Sequence, residues 1–204
     1  AGLELLSTQK LQLVDALSPL HAGLIISAMA LSAIPTSILG GATLHRVGFL
    51  PLISGGFLLM AAGMALVVVS RGETLPLLVS ALVLTGLGAG LAMSVSSTAI
   101  INAAPLHRTG MASGVEAVSY EFGTLISIAL TGTLVPLLMA RELPPHLAEL
   151  GTDALHHPAS HAAAASAYNA GYLSTIGGLA CFALLLAAIT AWCFRDNPKS
   201  GDPY

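Results

Sequence analysis

Residues 75–103 read LPLLVSALVLTGLGAGLAMSVSSTAIINA, a run without a single charged side chain. A transmembrane helix needs about 20 predominantly apolar residues to cross about 30 Å of hydrocarbon, and this run is longer than that. In lipid, backbone N–H and C=O groups find partners only within helices or closed barrels, and the run lacks the alternating pattern of a barrel strand. It therefore predicts a membrane-spanning helix.

The composition of the whole chain agrees with this first stretch. Hydrophobic residues make up 55% of the 204 residues and charged residues only 8%, and the mean hydropathy is +0.84. Soluble domains usually carry about 25% charged residues, so this chain has too few charges to cover a water-exposed surface. The formal net charge is −3 and no basic cluster is present, which argues against nucleic acid as a partner and for membrane lipid.

Apolar segments recur along the chain and alternate with short connections that hold most of the charge. The segments are 1–17, 22–43, 49–70, 75–103, 111–139 and 167–194. The last five reach the length of a span, whereas the first is short, which suggests a piece of a longer protein. The sequence thus predicts an all-α integral membrane bundle over residues 1–204, with an outer loop at 140–166 and a tail at 195–204.

The distribution of positive charge predicts the orientation of this bundle. The second connection, the fourth connection and the tail share one side of the membrane and carry four basic residues: Arg46, Arg108, Arg195 and Lys199. The opposite side carries two, Arg71 and Arg141. Because cytoplasmic loops hold the excess of Lys and Arg, the first side is predicted to be cytoplasmic, with a cytoplasmic C-terminus. The expected location is the cell (inner) membrane, with several spans.

Two features inside the spans concern helix packing and movement. Gly86, Gly90 and Ser94 recur at helical spacing in the fourth segment, and such a row lets a neighbouring helix approach closely. No strand precedes these glycines, so a nucleotide-binding loop is rejected. Pro35 lies inside the second segment, where it is either a packing kink or the hinge of a moving helix.

Three carboxylates fall inside the predicted spans, at Glu4, Glu116 and Glu121. A carboxylate at mid-bilayer costs at least ~2.5–3.5 kcal/mol, so each should face the bundle interior or a water-filled cavity. Glu121 lies about ten residues into the fifth segment, roughly 15 Å of rise, which places it near mid-membrane. It is the first candidate for a proton and substrate site. The alternative is a protonated, hydrogen-bonded structural carboxyl.

The other ionisable residues are weaker candidates for the proton and substrate site. Glu116 lies five residues before Glu121, nearer the cytoplasm, where snorkelling to the interface is the alternative. Glu4 is expected near mid-depth in the first segment. Lys10 and Asp15 are expected to be interfacial anchors at its outer end. Two tyrosines are predicted to mark the outer interface of the last segment: Tyr168 and Tyr172.

Histidines in the outer loop raise the question of a metal site. His157 and His161 are four residues apart, and two imidazoles on one helical face can bind zinc. The loop also holds His146, His156 and Pro158, next to a run of alanines, and this composition favours a solvated loop. No metal and no cofactor is therefore predicted.

Two stretches carry a family resemblance. Residues 9–14, QKLQLV, followed by residues 17–24, LSPLHAGL, resemble the "QYLQ-V…LSPL-AGL" stretch of major facilitator drug/proton antiporters of the fourteen-helix class. Residues 110–123, GMASGVEAVSYEFG, resemble the penultimate helix of that class, and most of all the "VEE-SY(D/E)-G" segment of quaternary-ammonium and methyl-viologen exporters. The resemblance covers nearly the whole chain, as the C-terminal six-helix half of a major facilitator fold.

The resemblance also implies roles for individual residues. The acidic residue that follows the tyrosine is implicated in cation recognition or protonation in this class, and here it is Glu121. The first acid of the segment matches Glu116, but the second is replaced by Ala117, which leaves the range of cations open. Lys10 stands in place of the usual tyrosine.

The predicted function is proton-coupled efflux of lipophilic cationic drugs such as quaternary ammonium compounds. The N-terminal transmembrane half is the expected partner, because a facilitator binds its substrate between two halves. One alternative is export of a neutral or anionic metabolite, although an anion would need an intramembrane cation and only Lys10 is available. A non-transporting fragment is another. A membrane enzyme is disfavoured, because the chain has no His-Glu-x-x-His and no Gly-x-Ser-Gly.

Overall fold

The computed structural model describes residues 1–71, 74–144, 147, 151–157 and 160–194. Within this part the long elements are all α-helices: α1 Gly2–Leu13, α2 Pro19–Val47, α3 Phe49–Val69, α4 Leu75–Ala103, α5 Thr109–Glu142 and α6 His161–Phe194. Two short 3-10 turns lie at Leu106–Arg108 and Gly151–His156. The described residues contain no strand, and the predicted all-α membrane class is confirmed. The predicted tail at 195–204 lies outside the described residues.

Five helices, α2 to α6, are long and apolar enough to cross a membrane. The helix α1 has 12 residues and ends at Leu13, earlier than the predicted 17. The chain turns there because Ala16 adopts a φ of 51°, in the left-handed region that interrupts a right-handed helix. Leu17 then donates its N–H to the carbonyl of Leu11 at 2.9 Å, which folds the end of α1 back on itself.

Both ends of the predicted outer loop are helical. The helix α5 runs on to Glu142 instead of ending at 139, and α6 begins at His161 instead of 167. Four consecutive alanines, residues 162–165, open α6, and alanine has the highest helix propensity of any residue. The prediction of a loop over 140–166 is therefore wrong at both of its ends.

The chain divides into two compact units. The first comprises Ala1–Ile26 and Glu121–Gly178, and the second comprises Ser27–Tyr120 and the described residues from Leu179 onward. The boundaries fall inside α2, α5 and α6, so these helices contribute to both units.

In the second unit, α4 lies beside α2 along the row of small residues. A side-chain carbon at Gly86 would collide with the backbone oxygen of Met29, and one at Gly90 would collide with that of Ala33. Further along, a carbon at Gly41 would lie 3.6 Å from the hydroxyl oxygen of Ser94. The residue numbers at these contacts increase in the same direction along both helices, so α2 and α4 run parallel.

The other side of α4 packs against α3. A side-chain carbon at Gly56 would lie 3.0 Å from the carbonyl oxygen of Gly88, and one at Gly63 would lie 2.7 Å from the carbonyl oxygen of Ala81. The residue numbers at these contacts increase along α3 as they decrease along α4, so the two helices are antiparallel. Buried small residues thus line two faces of α4 and allow backbone-to-backbone contact with both neighbours.

In the first unit, α1 and α6 both contact the C-terminal half of α5. A side-chain carbon at Gly2 of α1 would lie 2.7 Å from the hydroxyl of Ser127. One at Gly171 of α6 would lie 3.0 Å from the carbonyl oxygen of Val135. The buried residues of α5 follow the same helical stripe, at Thr131, Val135 and Met139. This stripe forms the core of the unit.

Candidate functional site

The N-terminal half of α5, which carries Glu116 and Glu121, is largely uncovered by the described residues. None of its residues before Thr131 is buried by the described chain, and Glu121 is exposed. Glu116 is half-buried and belongs to the second unit, whereas Glu121 belongs to the first. No ion pair or side-chain hydrogen bond between described residues holds either carboxylate. The chain itself therefore leaves Glu121 available for interaction.

Open space lies beside this stretch of α5. Gly123 lies two residues after Glu121, and a side-chain carbon there would meet no described atom within 4 Å. Thr124, next along the face that Glu121 occupies, is half-buried. Leu125, one turn after Glu121, is 63% exposed, so apolar side chains of α5 surround the carboxylate.

Glu4 occupies a different setting at the start of α1. Its side chain is 41% exposed, and a carboxylate oxygen lies 3.2 Å from the amino nitrogen of Ala1. Thr8 shares its face, but the threonine hydroxyl donates to the backbone carbonyl of Glu4 at 2.7 Å, not to the carboxylate. Among the described residues of this unit, Glu121 forms no hydrogen bond with Glu4.

The residues predicted for packing and gating lie together in the second unit. Pro35 is exposed, and α2 continues through it as one helix. On either side of the proline, the hydroxyls of Ser32 and Thr36 donate to carbonyls of α2, to Met29 at 2.8 Å and to Ala33 at 3.2 Å. These are the same two carbonyls that face Gly86 and Gly90 of α4. The proline therefore lies beside the close contact between α2 and α4.

A buried cation is the feature of the first unit that sequence reasoning missed. Lys10 is only 2% exposed, so its prediction as an interfacial anchor is wrong. Its ammonium nitrogen lies 3.4 Å from a carboxylate oxygen of Asp15 and 5.8 Å from the centre of the Tyr172 ring. A cation over an aromatic face within about 6 Å is attracted by the ring quadrupole. Asp15, just after α1, and Tyr172 of α6 thus both contact the lysine ammonium group.

Tyrosines of α6 complete a polar contact with α1. Tyr168 and Tyr172 are both buried, so the prediction that they mark an outer interface is wrong. The hydroxyl oxygens of Tyr172 and Ser7 lie 3.1 Å apart, and Tyr168 donates to Gln9 at 3.4 Å. The signal in the sequence was the spacing, since Ser7 and Lys10 share a face of α1, and the two tyrosines share a face of α6.

Asp15→Asn is expected to destabilise the protein more than Lys10→Met. The asparagine variant leaves a buried ammonium without its nearby carboxylate, whereas methionine keeps most of the lysine stem and removes the buried charge. We expect the asparagine change to cost about 1 kcal/mol or more, moderated because Asp15 is 38% exposed. Thermal unfolding of both variants of the purified transporter measures this. An equal or larger loss for Lys10→Met would show that the ammonium itself stabilises the contact.

The described residues hold no group of three or more His, Cys, Asp and Glu side chains that could bind a metal ion. His146 lies outside the described part, and His157 is exposed at the end of the second 3-10 turn.

Comparison with known proteins identifies relatives of the chain. The family model described as Major Facilitator Superfamily matches residues 5–146. Multidrug resistance protein Stp of Mycobacterium tuberculosis is 30% identical over 146 residues, which is 72% of this chain and 27% of that protein. Multidrug efflux pump LfrA of Mycolicibacterium smegmatis is 28% identical over 198 residues, 95% of this chain and 36% of that protein.

A third relative is the methyl viologen resistance protein SmvA of Salmonella typhimurium. It is 31% identical over 137 residues, which is 66% of this chain and 27% of that protein. The chain thus spans only 27% to 36% of the length of these three relatives.

Proposed function

The chain belongs to the Major Facilitator Superfamily and is part of a multi-pass membrane protein, and we propose that the complete transporter exports lipophilic cationic drugs in exchange for protons. Quaternary ammonium compounds are the proposed substrate class. The names of the relatives support drug efflux in general, since two are named for multidrug resistance or efflux and one for methyl viologen resistance.

The proposal rests on one observation: Glu121 is exposed in the N-terminal half of α5, which the described chain leaves uncovered. A carboxylate that faced hydrocarbon there would cost at least ~2.5–3.5 kcal/mol, so we infer that protein or water covers it in the complete transporter. Facilitators bind substrate near the midplane between their two halves. The N-terminal half is accordingly the proposed cover, and the substrate path runs between it and α5.

Exchange follows if one carboxylate serves both ligands. A proton and a cationic drug each neutralise the charge of Glu121, so each displaces the other without any direct contact between them. Glu116 and Glu4 are proposed to assist by holding cations on the way in or out. Pro35 and the close contact of α2 with α4 at Gly86, Gly90 and Ser94 are proposed to guide the movement of the helices.

The orientation forms part of the proposal. We place the protein in the inner membrane with its C-terminus in the cytoplasm, so that the ends of α2 and α4 face inward. This orientation puts the start of α5 on the cytoplasmic side. A drug that enters from the cytoplasm then meets Glu116 before Glu121.

Efflux by the complete wild-type transporter tests the proposed function. In a host that lacks its own drug pumps, we expect ethidium and a quaternary ammonium dye to be exported, and a protonophore to stop that export. Cells with the empty vector are the control. No export of either cation would contradict the cationic-drug proposal, and export that survives the protonophore would contradict proton coupling.

A further inference from the structure

One sequence pattern occurs twice and has no part in the proposed exchange. Leu-His-Arg-x-Gly occupies residues 44–48 and again residues 106–110. The first copy forms the last turn of α2 and leads into α3. The second copy contains the 3-10 turn after α4 and leads into α5. Each copy thus joins the end of one helix to the start of the next.

The fold brings both copies to the same end of the second unit. Because α2 and α4 run parallel and touch where Gly41 meets Ser94, their C-terminal ends are neighbours. Arg46 follows that contact by five residues, or about 7.5 Å of helix. Arg108 follows α4 after a connection of a few residues. Two arginines and two histidines therefore share one end of the helix pair.

The segments that surround the two copies carry basic residues and no acid. The four basic side chains are all exposed: His45, Arg46, His107 and Arg108. Residues 41–50 and 101–115 contain no Asp or Glu, and the first turns of α3 and α5 have no acidic residue. The partial positive charges at the starts of α3 and α5 are offset by the partial negative charges at the ends of α2 and α4, so the attraction for an anion comes from the basic side chains.

Exposed apolar side chains accompany the charges. Leu106 is 94% exposed beside His107, and Val47 is 50% exposed beside Arg46. Val47 is the last residue of α2, and Leu106 begins the 3-10 turn before α5, so both lie at the ends of helices long and apolar enough to cross a membrane. These apolar side chains would contribute nothing to the binding of a dissolved anion. A phospholipid, in contrast, presents a charged headgroup and apolar tails together.

We propose that the two Leu-His-Arg-x-Gly copies form a binding site for the headgroups of anionic phospholipids. The guanidinium groups of Arg46 and Arg108 contact the phosphates, and Leu106 and Val47 lie against the upper acyl chains. The second copy leads directly into α5, so a bound lipid holds the cytoplasmic start of the helix that carries Glu121. The site stands whether or not the transporter exports cationic drugs.

Lipid titration of the delipidated complete transporter tests the site. The ligands are short-chain phosphatidylglycerol, short-chain phosphatidylcholine and inorganic phosphate, and the readout is thermal stabilisation. We expect phosphatidylglycerol to stabilise the wild type well below the concentrations needed for the other two ligands. Each arginine is expected to contribute about five-fold, so Arg46→Gln with Arg108→Gln should weaken binding about 25-fold.

Two further variants keep the result interpretable. Arg71→Gln removes an exposed arginine at the opposite end of the unit and should leave phosphatidylglycerol binding unchanged. Arg46→Lys with Arg108→Lys keeps the charge and should retain most of the binding, which excludes a general folding defect. Unchanged binding by the double glutamine variant would overturn the site, as would an equal loss in Arg71→Gln. Equal stabilisation by phosphatidylcholine or by inorganic phosphate would overturn the headgroup assignment.

Discussion

Glu121→Gln in the complete transporter is expected to reduce export of cationic dyes by at least about tenfold, to the level of cells without the pump. The amide has nearly the same shape as the carboxylate, but it neither binds a proton reversibly nor neutralises a cation. The variant is therefore expected to lose both proton binding and cation binding at this position. The measurement is efflux of ethidium and of a quaternary ammonium dye, with wild type and variant at matched membrane levels.

A second acid on the same helix provides the control. Glu142 is also exposed, but it ends α5, about 30 Å of helix beyond Glu121. We expect Glu142→Gln to export as well as the wild type does. Glu121→Asp should retain part of the activity, because it keeps a titratable carboxylate on a shorter stem.

Two results would redirect the assignment. If Glu121→Gln exports cations at the wild-type rate, Glu121 is not the exchange site, and Glu4 or an acid in the N-terminal half becomes the candidate. If Glu116→Gln shows the larger loss instead, the site lies nearer the cytoplasmic end of α5. Proton uptake that accompanies dye export separates a loss of coupling from a loss of drug binding.

Hydropathy alone predicted the fold class, because lipid leaves the backbone little choice besides helices. Five segments of sufficient length became the five candidate spans α2 to α6. The ends of the helices were harder to predict. The stop of α1 depends on the left-handed Ala16, and alanine gives no such signal in a sequence, unlike glycine.

The burial of individual residues within the helix bundle was also difficult to predict from the sequence. Lys10 and Tyr172 lie near the predicted outer end of their segments, and at that depth a sequence favours contact with headgroups. Their actual surroundings depend on which helix lies beside α1, and a single sequence does not reveal that neighbour. Because α6 supplies the tyrosine ring and the hydroxyl partner of Ser7, both residues are buried.

The surroundings of Glu121 are also not revealed by the sequence of this chain. Its position in the span follows from counting residues, and its resemblance to an exporter motif follows from the neighbouring tyrosine. The described chain, however, does not cover it and leaves the N-terminal half of α5 exposed. The sequence of this chain therefore predicts the carboxylate but not the groups that surround it in the proposed transporter.

Gly86→Ala together with Gly90→Ala is expected to cause the largest loss of stability, because two added carbons meet backbone oxygen atoms. The carbonyls of Met29 and Ala33 belong to the regular part of α2 and have no rotamer that moves them away. Overpacking costs about 1–3 kcal/mol at each site, which outweighs the gain of up to about 1 kcal/mol that alanine brings to a helix. Size-exclusion profiles and thermal unfolding of the purified transporter measure the loss.

Gly55→Ala is the matched control, because this glycine lies in α3 of the same unit and an added carbon meets no atom within 4 Å. We expect it to be neutral or slightly stabilising, since only the helix propensity changes. If the double variant is as stable as Gly55→Ala, then α2 and α4 are not held at backbone contact in the membrane. The parallel arrangement of their ends, on which the shared site of Arg46 and Arg108 depends, would then lose its main support.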